Sequence, residues 1–180
     1  YGHSINDFTI RKKRKRERMI INMKTNAMRI KDKKKITYNI HTYTSENGKI
    51  DGISVAKTLN QPLTQVYKTL VTIGQSKSYY VFVIPVAEEL DLKKAAKAVK
   101  EKSIEMIPVK DINRVTGYIR GGCSPVGMKK QYPIVIDDSC KTIERIIVSG
   151  GKIGFQIELK CEDLQAVCNA LIAEVIQNRT

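Results

Sequence analysis

Two β-branched, aromatic runs, residues 66–73 and 79–85, stand on either side of Gly74-Gln75-Ser76-Lys77-Ser78. Runs of this composition form strands, and a short glycine-containing connection returns the chain antiparallel to itself. A hairpin therefore anchors the fold, and the other elements must be arranged around it. Residues 36–43 alternate with period two, placing Ile36, Tyr38, Ile40 and Thr42 on one side and His41 and Tyr43 on the other. From Lys24, Ala27, Ile30 and Lys34 follow helical spacing; Asn47-Gly48 and Asp51-Gly52 mark turns. A short helix is expected over residues 54–59, capped by Ser54. Asp91 caps a second helix through Val99 with an Ala95, Ala96 and Val99 face. A short strand at 104–107 and a short helix at 109–113 follow. Strands are expected at 134–136, 145–149 and 154–159, the last two joined by Gly150-Gly151-Lys152-Ile153, before a final helix from about residue 162 to 175. Strands and helices interleaved with hairpins make a mixed α/β domain around a partly antiparallel sheet.

The size, 180 residues with 42% hydrophobic side chains, fits one domain with an ordinary core. The formal charge of +14 is unevenly spread. Residues 1–18 hold seven cations and two carboxylates, and residues 24–35 hold six and one, so these segments carry +10 and leave +4 for the rest. The body is only mildly basic, which argues for few phosphate contacts. Residues 1–22 read as a basic extension of vector or upstream origin outside the fold, with an RNA-binding arm as the second reading, and residues 23–180 as the domain. No apolar stretch approaches the ~20 residues of a membrane span, so a cytoplasmic protein is expected. Cys123, Cys140, Cys161 and Cys168 are too widely spaced for a metal knuckle and are expected as reduced thiols, with Cys161 and Cys168 on one helix.

Between Gly117 and Lys130 the chain crowds four glycines, a proline and a serine, together with the cations Arg120, Lys129 and Lys130. So little side-chain volume lets main-chain groups approach a ligand, and the cations favour an anionic one; the alternative is a surface turn. The chain has two histidines, His3 and His41. A Cys-His nucleophile would have to use His41 with Cys123, and no His, Cys or acid cluster has zinc-ligand spacing. Neither a Walker loop nor a dinucleotide fingerprint is present. Lys68 lies inside an apolar strand. It either points to solvent or holds a phosphate or a developing oxyanion from the wall of a pocket.

Several motifs occur in an order that resembles the YbaK/EbsC family: Lys24-Thr25-Asn26-Ala27-Met28-Arg29-Ile30, His41-Thr42-Tyr43, Val66-Tyr67-Lys68-Thr69-Leu70-Val71, Leu92-Lys93-Lys94-Ala95-Ala96-Lys97, Thr116-Gly117-Tyr118, Gly121-Gly122-Cys123-Ser124-Pro125-Val126-Gly127-Met128-Lys129-Lys130 and Val148-Ser149-Gly150-Gly151-Lys152. The resemblance covers residues 24 to about 175. It implies a barrel-like mixed sheet flanked by helices, similar to the editing domain of bacterial prolyl-tRNA synthetases. It implies a deacylase that removes cysteine from Cys-tRNA(Pro), with Cys-tRNA(Cys) as a further substrate, and prolyl-tRNA synthetase as a partner. Cysteine and proline are close in size, and one pocket separates such residues by only ~1–3 kcal/mol, so a second sieve is needed.

Position by position, the resemblance places the functional lysine at Lys68, the pocket tyrosine at Tyr43, the glycine backbone at Gly121 with Gly122, and a serine at Ser149. A further position, acidic in some members, is Gln156 here. The implied mechanism uses no cofactor, metal or protein nucleophile: the substrate's own thiol attacks its ester. Cys123 then serves as a small apolar filler. Two alternatives stand beside this reading, a deacylase for another small amino acid such as alanine with water attacking, and a non-catalytic module that binds aminoacyl-adenosine or RNA.

Overall fold

The computed structural model describes residues 27, 28, 30, 36–44 and 51–178. The extension at residues 1–22 and the turn at Asn47-Gly48 lie outside the described residues; of the helix expected from Lys24, Ala27, Met28 and Ile30 are described and helical. The strands are β1 (Asn39–Thr42), β2 (Tyr67–Gly74), β3 (Tyr79–Pro85), β4 (Ile104–Met106), β5 (Ile134–Asp137), β6 (Ile146–Ser149), β7 (Phe155–Leu159) and β8 (Leu171–Ala173). The helices are α1 (Gly52–Thr58), α2 (Leu92–Val99), α3 (Ile112–Thr116) and α4 (Cys161–Cys168).

β2 and β3 form the expected hairpin, in register from Tyr67 opposite Pro85 to Ile73 opposite Tyr79. It turns where Gly74 N–H donates to the Ser78 carbonyl at 2.8 Å. A five-stranded sheet runs β4-β2-β3-β5-β8, and a three-stranded sheet runs β1-β7-β6. β5 lies parallel to β3 and β8, and the other pairings are antiparallel. The mixed, partly antiparallel character is as expected, but the strands remain in two sheets and do not close into a barrel. The sheets meet at an isolated parallel bridge between Val66 and Ile147.

Strand periodicity explains how the layers stack. Successive side chains on a strand leave on opposite faces. Val81, Val83, Ile134 and Ile136 enter one core with Ile146, Val148, Ile157 and Leu159 of the small sheet. Phe82, Ile84 and Val135 enter the other, beneath Ala95 and Ala96 of α2. β3 and β5 are thus covered on both faces, which their unbroken apolar runs require. Each such fully buried side chain contributes roughly 1.5–3 kcal/mol. Ile36, Tyr38 and Ile40 pack on the first core, the face that the alternation of 36–43 predicts, although the paired strand is shorter.

Three local expectations are corrected. Asp51, not Ser54, caps α1, its Oδ2 accepting from Ser54 N–H at 3.0 Å. Residues 109–111 form a 3-10 turn ahead of α3. The C-terminal helix stops at Cys168, where Asn169 takes a left-handed conformation, and residues 171–173 become β8 on the edge of β5. Cys161 and Cys168 do share α4, and all four cysteines are free.

Candidate functional site

The cavity of ≈ 640 Å³ opens where β2 and β6 part after the Val66–Ile147 bridge. Residues 66–70 of β2 form one wall. Val148 and Ser149 from β6, Phe155 and Gln156 from β7, and Tyr43 just beyond β1 form another. Asp51, Gly52 and Val55 at the start of α1 also line it, with Val86, Arg120, Gly121 and Cys123. Five of the six positions singled out in the sequence therefore line one cleft: Lys68, Tyr43, Gly121, Ser149 and Gln156. The size is that of a pocket for a nucleoside-sized ligand.

Lys68 is half-buried at the open edge of the hairpin and has no ion-pair partner among the described residues. β4 and the residue after it cover β2 only from Val71 onward, so the stretch between Val66 and Val71 is an unpaired edge. Val66 accepts from Val86 N–H, which directs the main-chain groups of residues 66, 68 and 70 toward β3. Those of Tyr67, Thr69 and Val71 point the other way by alternation, and the Val71 carbonyl indeed accepts from Ile107 N–H. Thr69 therefore turns its main-chain N–H and C=O toward the gap between the sheets. Its Oγ1 is buried with no hydrogen-bond partner. The sequence carries no signal for this edge, because it arises from the divergence of two sheets.

The β6–β7 turn fixes the other wall. Ser149 lies opposite Gln156 in the ladder. Ser149 Oγ accepts from Gly151 N–H at 3.2 Å, leaving its own proton free to donate into the cleft. Gln156 is 6% exposed, and its Oε1 accepts from Gln61 Nε2 at 2.8 Å. Tyr43 N–H donates to the Gly154 carbonyl at 2.9 Å. Gly154 has φ +97°, and a Cβ there would lie 3.1 Å from the Tyr43 carbonyl. A side chain at Gly154 would move the tyrosine out of place.

Gly121 and Gly122 have different jobs. Gly121 lines the cleft with φ +85°. Gly122 does not line it: its N–H donates to the Ile119 carbonyl at 3.0 Å. A Cβ there would meet the backbone of Lys152 and Ile153 at 3.0–3.2 Å. Gly122 thus lets the glycine segment press against the turn that carries Ser149, and it offers the cleft no donor.

Cys123 reaches the cleft, and burial pushes its thiol up to about 11. It is protonated at neutral pH and a poor nucleophile. His41 does not line the cleft; its Nε2 lies 3.5 Å from Glu158 Oε1. No Cys-His pair is assembled among the described residues. Among the described residues no three His, Cys, Asp or Glu side chains converge as ligands for a metal ion, and no helix is long and apolar enough to cross a membrane.

Residues 51–167 match the family model of the aminoacyl-tRNA editing domain. The chain is 44% identical over 152 residues to an Enterococcus faecalis protein named "Putative Cys-tRNA(Pro)/Cys-tRNA(Cys) deacylase EbsC", covering 84% of this chain and 93% of that one. Its fold is similar to the crystal structure of hypothetical protein APE2540 with a TM-score of 0.77 at 18% identity, over 85% of this chain and 100% of that one. It is also similar to "a putative trans-editing enzyme for prolyl tRNA synthetase" with a TM-score of 0.69 at 20% identity, over 78% and 87%.

Proposed function

The chain belongs to the aminoacyl-tRNA editing domain family, and we propose that it is a trans-editing deacylase that clears cysteine from Cys-tRNA(Pro), and from Cys-tRNA(Cys) as a second substrate. One observation carries the reading: the cleft brings together the cations Lys68 and Arg120, the hydroxyls of Tyr43, Tyr67, Thr69 and Ser149 and open main-chain groups, yet its one thiol is held protonated, its one carboxylate, Asp51, is engaged in capping α1, and His41 lies elsewhere. A site so furnished stabilises charge and shape without supplying a protein nucleophile. The 44% identical relative bears the name of this activity.

The substrate then brings its own nucleophile. The cysteine sulfur attacks its ester carbonyl carbon, the carbon–oxygen bond to the terminal ribose breaks, and the thiol proton ends on the ribose hydroxyl. The products are free tRNA and a cyclic thioester, which water opens to cysteine. Folding the aminoacyl group into this geometry can lower the barrier by ~7–11 kcal/mol in favourable intramolecular cases. Lys68 holds the terminal nucleotide and offsets the charge on the carbonyl oxygen. Gly121 supplies main-chain polar groups. Tyr43 and Ser149 orient the aminoacyl moiety, and Gln156 gives that wall a neutral amide in place of a carboxylate. Val55, Val66, Leu70, Val86 and Phe155 bound the pocket with apolar surface. Prolyl-tRNA synthetase is the partner that would deliver the mischarged tRNA.

The experiment is a panel of Cys-, Ser- and Ala-tRNA(Pro), with and without the synthetase, followed by ester half-life. Rapid loss of cysteine alone is expected. Equally rapid loss of serine, in which a hydroxyl replaces the thiol, would make water the nucleophile. Ligand binding with no turnover of any ester would reduce the protein to a binding module.

A further inference from the structure

We propose that Arg120, Lys129, Lys130 and Lys152 form a phosphate-binding rim for the RNA strand whose 3′ end enters the cleft, an inference that rests on the deacylase reading. The sequence carries four cations and no carboxylate between Asp111 and Asp137. Of these, Arg114 pairs with Asp111. Arg120, Lys129 and Lys130 are exposed, as is Lys152, and none of the four has an ion pair among the described residues.

The fold brings Arg120, Lys129 and Lys152 together beside the cleft, and Lys130, next in sequence to Lys129, lies at the edge of a neighbouring pocket with Met128 and Tyr132. Arg120 lines it directly. Lys129 N–H donates to the Thr116 carbonyl at 2.8 Å, and a Cβ on Gly117 would lie 3.4 Å from Lys129 Cβ. Gly117 is three residues from Arg120, a span of at most ~11 Å. Lys152 joins from the β6–β7 turn, because its Cα would lie 3.1 Å from a Cβ on Gly122. Close packing through Gly117 and Gly122 thus draws cations from three points of the chain onto one short segment. Like charges carried on one short segment repel one another wherever they approach within a screening length, ~8 Å at physiological salt. An anionic strand crossing them relieves that repulsion. An ester buried in the cleft must leave its polynucleotide outside, and the rim lies on that outside surface. The low net charge of the body does not oppose this, since phosphate contacts depend on local cations.

The test uses the full-length protein, the triple variants Lys129→Glu/Lys130→Glu/Lys152→Glu and Lys129→Gln/Lys130→Gln/Lys152→Gln, and two probes: uncharged tRNA(Pro), read by fluorescence anisotropy, and 3′-O-cysteinyladenosine, which carries no phosphate. Wild-type affinity for tRNA should fall with salt at a logarithmic slope near −3, from ~0.7 for each of four single-strand phosphate contacts. Both variants should flatten that slope and weaken tRNA binding at least tenfold at 0.1 M salt. Turnover of cysteinyladenosine should stay within threefold of wild type. Wild-type affinity without a salt slope, variants that bind tRNA like wild type, or variants that lose both probes together overturn the rim. Variants that bind free tRNA normally but lose stimulation by the synthetase assign the cations to a protein contact and also overturn it. Wild-type protein that binds tRNA with the expected slope but deacylates neither ester sinks the deacylase reading and leaves the rim standing.

Discussion

Gln61 Nε2 donates to Gln156 Oε1 at 2.8 Å, tying the segment after α1 to the wall of the cleft formed by β7. Gln156 is almost fully buried, so its amide is held rather than loosely exposed. Leucine at this position would leave Gln61 with a desolvated, unpaired amide, at a cost of about 1–3 kcal/mol. Glutamate has the same shape and still accepts from Gln61. Gln156→Leu should therefore lower both the melting temperature and kcat/KM on Cys-tRNA(Pro), whereas Gln156→Glu should keep both close to wild type. Full activity in the leucine variant would show that this wall does not read the substrate.

Lys68 is the cation proposed to face the reacting ester from the β2 wall of the cleft. Its ammonium lines the cleft without an ion-pair partner among the described residues, so its removal leaves no buried carboxylate behind. Lys68→Ala should fold normally and lose about 10²–10³ in single-turnover rate, the range for deleting one oxyanion donor. Lys68→Arg keeps the charge but replaces a compact ammonium with a planar fork, and an intermediate rate is expected. Unchanged ester half-life in the alanine variant would remove Lys68 from the chemistry.

Cys123 lies in the most conspicuous segment of the chain and is nonetheless expected to be dispensable. Burial raises its thiol from 9.0 to about 11. At neutral pH it is neither thiolate nor base, and Cys123→Ala should retain activity within threefold. Between pH 9 and 11 the unfolded chain has released this proton while the folded chain retains it, so stability must fall as pH rises through that window. Burial also raises Tyr118, to about 12, and this extends the loss upward. Urea midpoints at pH 8 and pH 10.5 should show the decline, with a shallower one in Cys123→Ala. A flat profile, or slow deacylation by the alanine variant, would return this thiol to the list of working groups.

What the sequence discloses and what it hides divide along physical lines. The hairpin of residues 66–85 is legible because its composition, alternation and glycine turn agree locally. The positions of Lys68, Tyr43, Gly121, Ser149 and Gln156 come from motif order, and all five reach one cleft. Thr69 was invisible as an open edge, because that property depends on which strands are absent beside β2. Gly122 looked like Gly121 but differs in the backbone it packs against. The gathering of Lys129 and Lys152 beside Arg120 likewise depends on contacts between distant segments.

The C-terminal segment shows most plainly how tertiary pairing overrides local preference. Residues 162–175 read as one helix, yet Asn169 breaks it with φ 50° and ψ 47°, and Leu171–Ala173 pairs in parallel with β5. Edge pairing satisfies main-chain groups of β5 that a longer helix would leave uncovered. Asn169 makes the switch possible, since asparagine tolerates the left-handed region better than most residues. The break then lets the Ala170 N–H donate to the Gln165 carbonyl at 3.0 Å. Asn169→Val should destabilise the protein by about 1–2 kcal/mol, the cost of the left-handed conformation for such a residue, while Asn169→Gly should be close to neutral. Thermal melts of both variants test this. Equal stability of the valine variant would mean that α4 can extend past Cys168 and that the edge strand contributes little.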